Sequence, residues 1–243
     1  MDRIAFIIGD TFVYWSSIVL TLAAATAICI FLAAYLGKSG NGVGAALLIP
    51  IALIASLALG RLVHWYSRTD AYASFGEAIT NYSTGGFALM GAFWACFITV
   101  GLLRGLRLIS SGWKMLDALA IGGGAGIAVG RLGSLFNASD RGVALPETVG
   151  FPIAAAVVND VSGLVENRLA TFMIQSMVTG AIVAALVVFM VVCHFGKKRI
   201  KDGDICLLFL LSYGALQIVC DSTRYDSLFL RSNGFISIVQ IMV

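Results

Sequence analysis

The sequence predicts an all-α fold, a polytopic bundle of transmembrane helices. Three observations carry that expectation. Of the 243 residues, 59% are hydrophobic and only 12% charged, far more apolar surface than one soluble core requires. Windows approaching or reaching the roughly 20 apolar residues that cross a bilayer recur along the chain. The cations also divide by type between the two predicted ends of those windows.

The predicted spans, in order, are Trp15–Leu36, Val43–Val63, Gly85–Leu103, Met115–Phe136, Leu169–His194 and Ile205–Cys220. The first does not read as a cleaved signal peptide: it is long, it follows an acid as well as a base, and it ends without a small-x-small pattern. A further apolar segment begins at Gly234 and stops at Val243, with about half the length of a span. Either the sequence ends inside a seventh helix or the last helix is shortened.

Charge predicts the orientation. With the N-terminus outside, all five lysines (Lys38, Lys114, Lys197, Lys198 and Lys201) fall on the inner side together with Arg104, Arg107 and Arg199, as the positive-inside rule requires. The outer segments then hold eight arginines, no lysine and ten of the thirteen carboxylates. Solvated surfaces use lysine and arginine alike, whereas forked recognition of phosphate favours arginine. Chemistry is therefore expected on the outer side. The net charge of +3 needs no acidic partner, and basic residues are not interleaved with aromatics along a soluble face, so nucleic acid is not an expected partner.

Residues 1–243 read as one transmembrane domain, with two external interfacial segments, 64–84 and 137–168. The first mixes aromatics with charges at headgroup depth. The second is too apolar for a free loop and reads as a cap on the bundle. The five cysteines lie in or beside apolar spans and behave as small hydrophobes, with no metal framework. Gly122, Gly126 and Gly130 repeat every fourth residue. With no strand before them and no Walker lysine after them, they read as a close helix–helix contact rather than a nucleotide loop.

Ionisable groups inside spans are expensive, so each is a candidate. Arg61, about one turn before His64, reads equally as a snorkelling arginine or a site residue. Asp117, at the inner start of its span, reads as a structural acid favoured by a helix N-terminus. Arg131 ends an apolar span and opens the stretch GRLGSLFNASDRG, where a phospholipid phosphate is the matching anion. Tyr213, Gln217, Asp221 and Arg224 fall on one face of the last span, a polar seam that must line a cavity or pack against another polar helix.

The pattern G-R-x-G-x-x-x-N-x-x-x-x-G at 130–142, then Y-G with an acid and an arginine at 213–224, then IVQI at 238–241, resembles the prolipoprotein diacylglyceryl transferases. GRLVHWY at 60–66, the double glycine at 85–86 and Asp117 agree with that resemblance. It implies a bacterial cytoplasmic-membrane transferase, N-terminus outside, with its site toward the outer leaflet. Such enzymes move the diacylglyceryl group of phosphatidylglycerol to the thiol of a lipobox cysteine in an exported prolipoprotein. Glycerol phosphate is released, and no cofactor or metal is involved.

The residues so implicated are Arg131, Asp221 and Tyr213 in catalysis. Arg131, Ser134, Asn137, Asp140, Gly142, Gln217, Arg224, Arg61 and His64 are implicated in binding. The sequence departs from the family where histidine is common (Met90 here), where asparagine is common (Ser134), at the motif acid (Ser139, with Asp140 beside it), at a second arginine (Gln217) and at a glutamate (Asp221). Near the N-terminus, Tyr14–Trp15–Ser16 only loosely echoes a family Trp-Tyr-Gly. His64 is a candidate replacement for the missing histidine. Two other readings follow from the departures: a paralogue acting on another lipid or acceptor, and a non-catalytic membrane protein that binds lipid. If Arg131 is structural, it should meet an internal carboxylate, Asp221 being nearest by depth; if functional, it should face a lateral opening.

Overall fold

The computed structural model describes residues 4–9, 11–38, 40–67, 74–80, 86–137, 140–158, 163–197 and 199–223. Eight helices are described among them: α1 (Trp15–Gly37), α2 (Gly42–Ser67), α3 (Phe75–Thr80), α4 (Leu89–Gly105), α5 (Gly112–Arg131), α6 (Ser134–Asn137), α7 (Thr171–Phe195) and α8 (Asp204–Thr223). Five helices (α1, α2, α5 with its continuation into α6, α7 and α8) are long and apolar enough to cross a membrane. The protein is a multi-pass helical bundle. The segment Gly234–Val243 lies outside the described residues.

The third predicted span is shorter than expected. Helix α4 has 17 residues, about 26 Å at 1.5 Å per residue. Its start is set by Gly86, whose φ of +87° interrupts the helical path. The Gly86 carbonyl accepts a hydrogen bond from Arg61, and the Ala88 N–H donates to the Gly60 carbonyl at 3.0 Å. Glycine tolerates that φ because it has no Cβ. The fourth span keeps its predicted extent, turning at Arg131 where α5 closes and continuing through the short helix α6 to Asn137.

Helix α5 is the axis. It packs on α1, α7 and α8, while α4 packs chiefly on α2 and only lightly on α5. The α1–α5 crossing runs along the glycine ridge. A Cβ at Gly122 would meet the Ala27 carbonyl at 2.6 Å, and one at Gly126 would meet the Ala27 Cβ at 2.7 Å. The ridge is thus used inside the chain. It lets two apolar helices approach through van der Waals contact, since lipid gives them no hydrophobic drive to associate.

Two short hairpins accompany the helices. Strands β1 (Ile4–Ile8) and β2 (Thr11–Tyr14) pair just before α1. Strands β3 (Ala154–Val158) and β4 (Val165–Leu169) pair just before α7. Along β4 runs a third extended piece: Gly142 N–H donates to the Leu169 carbonyl, Leu169 N–H to that of Val143, and Leu145 N–H to that of Asn167. The expected cap is therefore a small β-structure, which satisfies the backbone polar groups of an apolar stretch by pairing them.

At the lysine-bearing end, Asp117 is 1% exposed. Its carboxylate accepts the N–H groups of Gly203 and Cys206, each at 2.9 Å, with Lys38 Nζ at 4.0 Å. Asp117 is a structural acid as expected, but the helix start it serves is that of α8, not that of its own helix. Two of the orphan donors that every helix N-terminus carries are satisfied this way.

Candidate functional site

The stretch that follows α5 folds back over the bundle because its polar groups are used at once. Arg131 Nη1 donates to Asp140 Oδ1 at 3.1 Å. Ser134 Oγ donates to Asp140 Oδ2 at 2.6 Å. The Asp140 carbonyl in turn accepts Thr171 Oγ1 at 2.7 Å and the Phe172 N–H at 3.3 Å. Asp140 holds a φ of +55°, a region that aspartate enters more readily than most residues. One buried aspartate thereby ties the end of α5, the α6 turn and the start of α7 together.

Gly142 completes the closure. A Cβ there would lie 2.9 Å from Leu169 Cβ and 3.0 Å from the Thr223 carbonyl. The cap therefore meets the end of α8 only because this position is glycine. Next to it, the Arg141 guanidinium sits 4.4 Å from the centre of the Phe172 ring, a cation–π contact inside the protein.

Below this lid the interior is polar. Tyr213, Gln217 and Asp221 on α8 are 2%, 4% and 3% exposed. Opposite them, α7 presents Thr171, Gln175 and Thr179, all buried and spaced one turn apart. Gln175 Nε2 donates to Gln217 Oε1 at 3.4 Å, and Ser176 Oγ donates to the Ala128 carbonyl at 2.6 Å, fixing α7 on α5. The Tyr213 hydroxyl lies beside the Arg131 guanidinium and the Gln217 amide and interacts with both. The α8 seam thus packs against a second polar seam. That second seam was visible as T-x-x-x-Q-x-x-x-T in an apolar window, but a search for ionisable residues passes over it.

Tyr213 also reaches a cleft. Its ring stacks on Phe209, with centres 5.4 Å apart, and sits 5.7 Å from that of Phe93 on α4. A cavity of about 330 Å³ between α4 and α8 is lined by Met90, Phe93, Trp94, Phe97, Leu210, Tyr213 and Gly214. Trp94 at its rim is exposed. A second, almost wholly apolar cavity of about 170 Å³ shares Phe93, Phe97 and Leu210 with the first and continues between α4, α5 and α8.

Arg131, Ser134, Asp140, Tyr213 and Gln217 are thus assembled around one interior. Asp221 lies one turn beyond Gln217 on the same face of α8, and Gly142 closes the lid against the end of that helix. Met90 shares the cleft with Tyr213. Asn137 is exposed at the end of α6. Arg224 and Ser139 lie outside the described residues.

Arg61 and His64 serve the α2–α4 junction. Arg61 is 4% exposed and so does not snorkel. It donates to the carbonyls of Ala78 and Gly86 and lies over the Phe87 ring. The His64 ring packs against Gly86, where an added Cβ would overlap it. As for Arg131, its internal carboxylate is Asp140 rather than Asp221, the arrangement expected of a structural arginine, while its neighbour Tyr213 lines the cleft between α4 and α8. Among the described residues no cluster of His, Cys, Asp or Glu could hold a metal ion.

Fold and site define a class: a multi-pass membrane protein with a buried, arginine-anchored polar interior beside an apolar cleft. The chain belongs to the prolipoprotein diacylglyceryl transferase family, whose model matches residues 3–243. It is 25% identical to a phosphatidylglycerol–prolipoprotein diacylglyceryl transferase of Finegoldia magna, over the whole of this chain and 92% of the relative. A Nostoc protein of the same name is 27% identical over 92% of this chain and 78% of the relative. One from Bacillus cereus is 26% identical over all of this chain and 87% of the relative.

Proposed function

We propose that the protein transfers the diacylglyceryl group of phosphatidylglycerol to the thiol of a lipobox cysteine in an exported prolipoprotein. In that reaction the cysteine sulfur forms a bond to the glyceryl carbon that carries the phosphate. The carbon–oxygen bond to phosphate breaks, and glycerol phosphate leaves with the electron pair while the thiol proton passes to a base. The observation that carries the reading is the adjacency of Arg131 and Tyr213 at the meeting point of a polar interior and a lipid-side cleft.

Each part has a matching task. The apolar cleft along α4 and α8 suits acyl chains entering from the bilayer. Arg131 offers a forked cation to the lipid phosphate and to the charge that grows on it as it departs. Asp140 holds that fork in place through Nη1, while Ser134 fixes the aspartate. Asp221, buried on the same face of α8 as Tyr213 and Gln217, is the carboxylate assigned to take the thiol proton. The arginine-bearing end faces the outer leaflet of a bacterial cytoplasmic membrane, and the lysine-bearing end faces the cytoplasm.

The test is a mass-shift assay with purified protein, phosphatidylglycerol micelles and a lipobox peptide. A diacylglyceryl adduct made by the wild type and absent with Arg131→Ala supports the transferase. A second reading, lipid binding without transfer, is favoured by the ion pair that already offsets the Arg131 charge and by the uncharged Met90 and Gln217. Lipid retained with no adduct formed would establish it in place of the first.

A further inference from the structure

The turn that joins α4 to α5, at the lysine-bearing end, carries an arginine where a helix ends best on glycine. Arg107 holds a φ of +58°. Its N–H donates to the Arg104 carbonyl at 3.0 Å, and the Leu108 N–H donates to the Leu103 carbonyl at 3.0 Å, the pair of bonds that closes a helix through a left-handed residue. Glycine takes that conformation freely, whereas a residue with a Cβ is strained there, and such strain gathers where ligands are clamped. The α4 dipole favours a cation near this end, but Arg104 in the last turn already supplies one.

The strained position puts Arg107 in a cavity. About 590 Å³ opens beside the turn, lined by Asn41, Arg104, Arg107, Ser110 and the chain between the arginines and the serine. Its walls are held in place. Asn41 Nδ2 donates to the Leu108 carbonyl at 3.4 Å, and Arg104 Nη1 donates to the Ile109 carbonyl at 3.2 Å. Ile109 is buried against Gly44, where an added Cβ would come within 2.5 Å of it. No carboxylate lines the cavity, and among the described residues neither guanidinium meets one. Asp202 approaches this end only through Ser111, whose hydroxyl donates to it at 3.2 Å. Two forked cations on one concave, acid-free surface call for an anion, and phosphate matches the fork.

The surroundings select the kind of phosphate. Trp94, Ile98, Leu102 and Leu106 stand one turn apart on α4 and are all exposed. They form an apolar stripe about 18 Å long that ends at the arginines. Helix α5 begins at Gly112 and ends at Arg131, so the turn lies about 30 Å from the Arg131 end, one hydrocarbon thickness away. A lipid whose chain follows the stripe brings its phosphate to Arg104 and Arg107.

We infer that the α4–α5 turn is a binding site for the phosphate of an anionic glycerophospholipid at the membrane interface of the lysine-bearing end, with Arg104 and Arg107 as its clamp. A zwitterionic headgroup is disfavoured because its ammonium would face two guanidiniums. The site is separate from the Arg131 interior and does not depend on the transferase reading. It is open to the bilayer, so its lipid exchanges and is stripped with the bilayer, unlike lipid enclosed near Arg131.

The experiment is photocrosslinking in nanodiscs with phosphatidylglycerol or phosphatidylethanolamine carrying the same diazirine-bearing chain. Labelled peptides covering residues 94–113 are quantified by mass spectrometry, and thermal unfolding is measured alongside. Wild type is expected to capture phosphatidylglycerol preferentially on that segment. Arg107→Gly should lower this capture about fivefold, the worth of one arginine beside an anionic headgroup, while its melting temperature holds or rises because glycine relieves the backbone. Lys197→Gly relieves a φ of +53° at the end of α7, outside this cavity, and should leave capture unchanged. Arg131→Gln should leave it unchanged too, which separates this site from the one near α7 and α8.

Equal capture of the two lipids by wild type overturns the inference, as does undiminished capture by Arg107→Gly or the same loss in Lys197→Gly or Arg131→Gln. A clear fall in the melting temperature of Arg107→Gly would make the arginine a structural residue and overturn it as well. Displacement of the lipid by millimolar glycerol phosphate would make a soluble phosphate the ligand and overturn the lipid assignment.

Discussion

The two ends of α5 carry opposite charges in opposite states. At one end Asp117 is closed: its two oxygens accept the N–H groups of Gly203 and Cys206, with Lys38 beside it. At the other end Arg131 spends Nη1 on Asp140, and beneath it lie buried hydroxyl and amide atoms with no hydrogen bond. A buried charge whose surroundings are complete is part of the scaffold. One set among incomplete polar groups, beside a cleft, is where a ligand belongs.

That contrast can be broken in order of effect. Arg131→Gln should reduce diacylglyceryl transfer at least about 100-fold, the usual cost of removing a donor aimed at developing charge, as read by initial rates on a lipobox peptide. Asp117→Ala should act on stability instead, leaving two buried N–H groups unpaired at a cost of about 3 kcal/mol, seen as a large drop in melting temperature in detergent.

Neighbouring glycines on α5 sharpen the scaffold side. A Cβ at Gly122 meets α1 backbone at 2.6 Å, whereas one at Gly123 meets nothing within 4 Å. Gly122→Ala should cost about 1–3 kcal/mol by overpacking. Gly123→Ala should be neutral or stabilise by up to about 1 kcal/mol through helix propensity. The smallest effect belongs to Lys38→Gln: this half-exposed lysine is 4.0 Å from Asp117, and its loss should change stability by no more than about 1 kcal/mol.

Much of this arrangement is legible in the sequence. Apolar windows mark α1, α2, α5, α7 and α8 to within a few residues because a span has to satisfy its backbone internally and stay apolar throughout. The glycine ridge on α5 and the polar face of α8 follow from helical spacing alone. What sequence conceals is who meets whom. Asp117 reaches across to α8, Arg131 finds Asp140 rather than Asp221, and Arg61 is spent on two backbone carbonyls. Each of these depends on tertiary contact.

The start of α4 and the β-structure of the expected cap are not legible in the sequence, for related reasons. A positive φ at Gly86 is set by the contact with Arg61 and His64, and an apolar stretch with two prolines does not disclose that its backbone groups pair as a hairpin. Gln175 and Thr179 do not stand out in the sequence because uncharged polar residues are ordinary in transmembrane helices. Only their placement opposite Gln217 and Tyr213 makes them informative.

The most direct test of the account is the amount of phosphatidylglycerol retained by wild type, Arg131→Gln and Lys38→Gln after equal delipidation, with folding checked by thermal unfolding. The account predicts that the variant at the lysine-bearing end retains as much lipid as wild type while Arg131→Gln, still folded, loses it. Equal retention by a folded Arg131→Gln variant would contradict the assignment of that end as the lipid site.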